Sequence, residues 1–370
     1  MFSMKVHIAR VEALKARMRE SGLEAMLFTK DANQRYFEGY TGSDCYLLIT
    51  EEKNYIFADS RYTEQAADEC ATAKVVPHRD SFPSYFEGIA ALCKEHGVRR
   101  LGFESASLTY DQYSKINGAL RGIDFIAAES MGESVRMVKS AEEISKIERA
   151  CDIADRALER LLPSLVPGIS ELEAARELEY WMAKEGSENI SFPTIIAFGA
   201  RTSLPHAIPQ RDVFLKKGNL ILIDYGACFG GYHSDTTRTF VCGEATPEQR
   251  ERYAVVLEAH KRGAALLLAG NKGSMPHEAA LSVMEEAGYP KGKGGFMHGL
   301  GHGVGLEIHE LPFMRGDCAT VFEPGHVITV EPGLYLEGWG GIRIEDTVHV
   351  TEGSPRSLIH FPKDHLIELG

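Results

Sequence analysis

The stretch ILIDYGACFGGYHSD, residues 221–235, runs from apolar residues into Asp224, crosses a glycine pair and reaches a second acid, Asp235. A carboxylate at the end of so apolar a run is expensive to bury alone, so a partner must offset it. If residues 219–226 and 231–240 form a hairpin turning at Phe229 and Gly230, Asp224 stands opposite Asp235. The two side chains would then lie ~5 Å apart on one face.

The pattern is repeated. KGNLILIDYG (217–226) and PGHVITVEPG (324–333) share a glycine, a mainly apolar run closed by an acid, and a second glycine. Downstream, GGYHSDTT (230–237) matches GGIRIEDT (340–347), which sets Glu331 and Glu345 beside Asp224 and Asp235 as corresponding acids. A turn centred on Gly338 places Glu331 opposite Glu345. Like charges directly opposite destabilise a strand pair, yet the chain makes the arrangement twice. One acid at a strand end is usually just solvated. Four at repeated cross-strand positions point to cations between them. Four ionised carboxylates balance two divalent ions, and bridging carboxylates suit a metal pair ~3.5–4 Å apart.

Between the two ribbons lies HGLGHGVGLEIHE (298–310), whose glycines at 299, 301, 303 and 305 disfavour a helix and predict extended or looping backbone. Spacing does not choose among His298, His302 and His309, and a lone histidine is more often a hydrogen-bonded structural residue. His206, in LPHAIP (204–209), is a further candidate for the same pocket. Oxygen ligands with one imidazole favour Mn(II), with Co(II), Fe(II) and Zn(II) as alternatives.

The rest of the chain supplies the frame. At 370 residues it is long enough for two domains. A net charge of -13 argues against nucleic acid and anionic membranes as partners. Seven cysteines without a CxxC pair do not form a disulfide framework, and neither a signal peptide nor an 18-residue apolar run is visible. The expected compartment is the cytoplasm.

Residues 1–131 alternate β-like runs (EAMLFT 24–29, CYLLIT 45–50, NYIFAD 54–59) with helical patterns such as 81–97, which predicts a small α/β domain. Val6, Ile8, Val11, Leu14 and Met18 mark an amphipathic opening helix. The stretch MGESVRMVKS (131–140) reads as irregular. Residues 140–370 then begin with capping boxes at Ser140 and Ser170, opening helices over about 141–162 and 171–186, followed by strands. Helices starting at Thr246-Pro247 and near Pro276 precede a second β-rich half. Helices then strands, twice, is α+β with an internal duplication.

These residues carry a family resemblance. From about 140 to 350 the chain resembles the pita-bread metallopeptidases, the family of methionine aminopeptidases, aminopeptidase P and prolidase, whose ligand order is Asp, Asp, His, Glu, Glu. The resemblance implies that Asp224, Asp235, His302, Glu331 and Glu345 bind two metal ions, with Asp235 and Glu345 bridging. SFPTI (191–195), LPHAIP, GWGGIRIED (338–346) and Arg343 are similar to the Xaa-Pro-cleaving branch, and FADSRYTEQA (57–66) resembles the creatinase-like N-terminal domain of aminopeptidase P. Creatinase itself lacks the full carboxylate set.

The implied activity is Xaa-Pro aminopeptidase, working through a metal-bridging hydroxide on peptides with proline at the second position. The alternative is Xaa-Pro dipeptidase (prolidase). Methionine aminopeptidase and a non-catalytic pita-bread binding module follow. In that scheme Glu331 also moves protons, His298 and His309 bond the substrate or tetrahedral intermediate, and His206 shapes the leaving-proline side. Arg343 pairs with a carboxylate of the site or with the substrate terminus. Proline lacks an amide hydrogen, so strand-like substrate binding loses a bond there and a dedicated pocket is needed. Tyr232 and Trp339 are wall candidates, though either residue type more often packs. The resemblance also implies a homodimer in which Arg61 or Tyr62 borders a partner's cleft.

Overall fold

Ser140, Ser170 and Thr246 each accept a hydrogen bond from the N–H three residues on, while Glu143, Glu173 and Gln249 reach back to the cap residue's own N–H. These reciprocal bonds satisfy orphan donors at the starts of helices Ala141–Leu161, Glu171–Glu185 and Pro247–Ala265. The structure, a computed structural model, describes residues 2–77 and 82–370. It divides into two compact units, Met1–Arg136 and Met137–Gly370.

The first unit is built on a six-stranded mixed sheet in the order Lys74–Pro77, Asn54–Ala58, Tyr46–Thr50, Ala25–Phe28, Arg100–Phe103, Asp124–Ala127. Leu27, Leu48, Phe57 and Leu101 belong to the core on one side of it. The opening helix, Met4–Glu20, turns a slightly different face inward than its apolar spacing predicts. Ile8 is exposed, whereas His7 and Arg10 are buried because both ring nitrogen and guanidinium bond the Tyr36 carbonyl. The 81–97 pattern becomes helix Tyr85–Glu95, capped by Ser84; Ser81 lies outside the described residues. Residues 131–140 are not irregular throughout, since Met131–Arg136 is helical. Tertiary bonds account for this: Arg136 donates to Asn33 Oδ1 at 2.7 Å and Lys30 pairs with Glu133.

In the second unit, helices 141–161 and 171–185 precede strands Ile195–Phe198, Leu220–Tyr225 and Thr236–Cys242. Helices Pro247–Ala265 and Ser274–Glu286 precede Gly301–Gly303, Glu310–Met314, Val327–Val330 and Asp346–His349. The α+β order therefore occurs twice. Leu220, Val256, Met284, Ile328 and Ile342 share one core, so the second helix pair packs on strands of both halves.

The first ribbon differs from the expected register. Asp224 pairs with Thr237, not with Asp235, and Phe229 pairs with Tyr232. The turn falls on Gly230 and Gly231, whose φ values of 60° and 79° are left-handed, the geometry of a two-residue hairpin loop. Moving the turn one residue along slides the partner strand by two, so face is kept while the acids become diagonal neighbours. The second ribbon keeps its expected register. Val330 pairs with Asp346 and Gly333 with Arg343, which brackets Glu331 and Glu345 in the gap between two ladders.

Candidate metal centre

Threonines at matching places in the two ribbons join them. Thr237 donates its hydroxyl to Glu345 Oε2 at 2.7 Å and accepts the Glu345 N–H at its carbonyl, while Thr347 donates its hydroxyl to the Asp235 carbonyl at 2.9 Å. Arg238 adds bonds to the Glu345 and Phe361 carbonyls and a 2.9 Å ion pair to Asp346, all fully buried. The ribbon that carries the aspartates is thereby fixed to the ribbon that carries the glutamates.

The result is one cavity of about 960 Å³ whose wall includes Asp224, Asp235, His302, Glu331 and Glu345 together with His206, His298, His309 and Arg343. Asp235, His302 and Glu345 each offer a ligand atom, and these atoms lie within 4.8 Å of one another. His302 sits in the extended segment Gly301–Gly303. Its Nδ1–H donates to the Gly303 carbonyl at 3.1 Å, which leaves the Nε2 lone pair facing Asp235 Oδ2 at 3.4 Å and Glu331 Oε1 at 3.5 Å. Burial, and next the neighbouring His309, pushes the His302 pKa down to about 3, so the ring is neutral and able to ligate.

The carboxylates are strained electrostatically. Burial, followed by the charges of the neighbouring acids, holds Asp235 and Glu345 well above the usual carboxylate range. Burial raises Glu331 to about 8, with Asp224 adding to the rise and Arg343 opposing it. Asp224 Oδ1 and Glu345 Oε1 are buried without a hydrogen-bond partner. An orphaned buried acceptor costs about 1–3 kcal/mol, so oxygens left bare beside three repelling acids mark a place shaped for cations. The donor set of carboxylate oxygens and one neutral imidazole fits hard to intermediate divalent ions.

The other candidates are placed as follows. Arg343 is buried and donates to Asp224 Oδ2 at 2.5 Å, Tyr335 Oη at 2.8 Å and Thr237 Oγ1 at 2.9 Å, so its partner is a carboxylate of the site. His298 donates from Nδ1 to the Gly299 carbonyl and accepts at Nε2 from Tyr335 Oη at 3.0 Å. His309 stands edge-on to the His302 ring, centroids 4.3 Å apart, and is exposed on its other side. His206 is exposed on the cavity wall. Tyr232 and Trp339 line no part of the cavity: Tyr232 is buried and bonds Glu143, and Trp339 stacks under Arg252 and bonds Glu248. Tyr335 and Thr237 are functional neighbours that sequence reasoning passed over. Thr237 carried a signal, as the threonine two places after the acid in both repeats, whereas Tyr335 carried none.

Known proteins resemble this chain over most of its length. Residues 145–352 match the model of metallopeptidase family M24, and residues 10–138 match the creatinase/prolidase N-terminal domain. The Xaa-Pro dipeptidase of Pyrococcus furiosus is 35% identical over 94% of this chain and 97% of its own. Among solved structures, an Xaa-Pro dipeptidase from Bacillus anthracis superposes with a TM-score of 0.93 at 36% identity, covering 98% of this chain and 100% of that one. An X-Pro aminopeptidase from Thermotoga maritima does so with a TM-score of 0.87 at 33% identity, covering 97% and 99%. The chain therefore belongs to metallopeptidase family M24, the metal-dependent pita-bread hydrolases, and carries a creatinase/prolidase N-terminal domain ahead of the pita-bread unit.

Proposed function

We propose that this protein hydrolyses the bond between an N-terminal residue and a following proline, in peptides longer than two residues, with Asp224, Asp235, His302, Glu331 and Glu345 holding two divalent ions, Mn(II) first among them. The observation that carries the reading is the convergence of four acids from two look-alike ribbons on one wall, two of their oxygens orphaned, beside a neutral imidazole. Ions bound there would supply Lewis acidity and a water acidic enough to attack an amide near neutral pH.

The chain's own groups do the remainder. Glu331 stands on the cavity wall and is the acid suited to pass a proton, since the departing proline nitrogen has no hydrogen and must gain one. His309 faces the open side of the cavity and donates to the substrate. Arg343 holds Asp224 through Oδ2, leaving Oδ1 to turn toward a cation, and the Tyr335 hydroxyl between Arg343 and His298 keeps guanidinium and imidazole in place.

Two features support peptides longer than dipeptides. The cavity is at the upper end of the range for small-molecule sites, about 300–1,000 Å³, and exposed Leu204, Ile208, Met297 and Phe313 stand on its wall. Two of its three arginines are also already engaged: Arg343 with Asp224, and Arg201 with Glu171 and the Ile208 carbonyl. A dipeptidase must capture a terminal carboxylate two residues from the amine, a task for such a cation. The second reading, Xaa-Pro dipeptidase, is favoured by Arg315, whose pairing with Asp317 is exposed and easily surrendered. Metal-free protein reloaded with Mn, Co, Zn or Fe and assayed on Xaa-Pro, Xaa-Pro-Yaa and Met-Ala peptides tests the reading. Metal-dependent cleavage of Xaa-Pro-Yaa is expected. Cleavage confined to Xaa-Pro replaces it by the second reading, and cleavage confined to Met-Ala contradicts both.

A further inference from the structure

Lys139 Nζ and Glu310 Oε1 form an ion pair 2.8 Å long with side chains 1% and 2% exposed. Pairs this deeply buried stabilise a fold little more than apolar side chains of the same size, so stability is a weak reason for this one. Its location offers another. Lys139 is anchored through its own N–H to the Gly325 carbonyl at 2.9 Å. Glu310 immediately follows His309 and pairs across the ladder with Gly303, which immediately follows His302.

The ladder breaks at that point. His302 pairs with Phe313 but Gly303 with Glu310, so Leu311 and Pro312 bulge out and the turn 304–309 is closed by the Gly303 and Glu310 pair. The Glu310 carboxylate lies against the bare backbone of Gly305, where a Cβ would collide with it, and accepts the Glu307 N–H at 3.4 Å. One carboxylate thus gathers the turn at two points, Gly305 and Glu307, and Lys139 holds that carboxylate.

We propose that the Lys139–Glu310 pair is a positioning device for His309. By fixing the bulged turn it sets the His309 ring edge-on to His302, 4.3 Å between centroids, and aims it into the cavity. Lys139 and Glu310 are positioning residues and touch no substrate. The inference rests on the reading of His309 as a substrate-bonding group.

The test is a cycle of four full-length, metal-loaded proteins: wild type, Lys139→Met, His309→Ala and the combination, each measured for kcat, KM, bound metal and Tm on an Xaa-Pro-Yaa peptide. Lys139→Met is expected to lower kcat by roughly tenfold or more, with KM within about threefold and metal content retained. In the His309→Ala background the same change should lower kcat by less than about twofold, since residues acting as a unit are not additive. Lys139→Arg, which keeps the charge, should restore part of the loss. Equal fold losses in both backgrounds, or wild-type kcat in Lys139→Met, overturn the inference alone. Full activity in His309→Ala removes the role of His309 and the inference with it. If Lys139→Met does not fold, Lys139→Met/Glu310→Gln, which strands no charge, takes its place in the cycle.

Discussion

At the scale of single residues, environment decides what each titratable group can do. Asp224 and Arg343 meet as an ion pair, His302 is kept neutral, and Arg315 stands exposed with an equally exposed partner. Arg315 offers a clean discrimination. If the substrate extends beyond proline, Arg315→Ala leaves Xaa-Pro-Yaa kinetics within about twofold; if the enzyme is a dipeptidase, KM for Xaa-Pro rises by roughly tenfold, the worth of one charged hydrogen bond. His326 makes a prediction for stability. It is fully buried, accepts the Glu323 N–H at Nδ1 and, through burial first and the Lys139 charge second, has its pKa lowered to about 4. The unfolded histidine titrates near 6.5, so between about 6.5 and 4 the unfolded chain binds more protons and stability falls as pH drops; above that window it is unaffected. At pH 5 the expected loss is about 2 kcal/mol. Thermal unfolding in chelator at pH 7.5 and 5 should show a smaller pH-dependent drop for His326→Gln, whose side-chain oxygen still accepts the same N–H. Equal drops in both proteins would contradict the assignment.

Elements show why some of this was legible from letters and some was not. The four acids could be found because each closes an apolar run at a repeated position, and the second ribbon's register followed from symmetry about Gly338. The first ribbon's register did not, because a glycine pair permits a turn on either side of the first glycine and only the backbone angles at Gly230 and Gly231 decide. Among the histidines, spacing left three candidates; His298 and His302 both place Nδ1 on the next residue's carbonyl, and the distinction comes from what Nε2 meets, the Tyr335 hydroxyl for His298 and the acids Asp235 and Glu331 for His302, a tertiary contact invisible in sequence. Contacts such as Lys139 with Glu310 join positions too far apart along the chain to suggest one another. The turn gives a prediction of its own. Gly231→Ala forces a side chain into a left-handed conformation, which costs about 1–2 kcal/mol, and lowers Tm with ligand residues untouched. Gly226→Ala does more, since its Cβ would run into the Ser234 carbonyl beside Asp235, and should reduce bound metal as well as Tm. Unchanged metal content in Gly226→Ala would show that the crossing of the ribbon there does not set the site.

For the whole molecule, the amphipathic patterns and capping boxes were enough to read two kinds of architecture in one chain, and the family likeness placed the chemistry in the second. Each unit has a core of its own. All five candidate ligands lie within Met137–Gly370. Metal should therefore act on one unit's stability. An ion present at 100 times its dissociation constant stabilises the state that binds it by about 2.7 kcal/mol. Calorimetry with and without Mn(II) should show the transition of the second unit move upward while that of the first stays in place; equal movement of both would mean that the units unfold together. No helix among the described residues is long and apolar enough to cross a membrane.

The proposed two-ion site draws paired acids from two similar ribbons. Anomalous scattering at the manganese edge, from crystals grown with Mn(II) in excess, tests it most directly. Two peaks about 3.5–4 Å apart are expected, enclosed by Asp224, Asp235, Glu331 and Glu345 with His302 Nε2 on one of them. Ordered solvent alone among those side chains, or peaks only elsewhere on the protein, would contradict it.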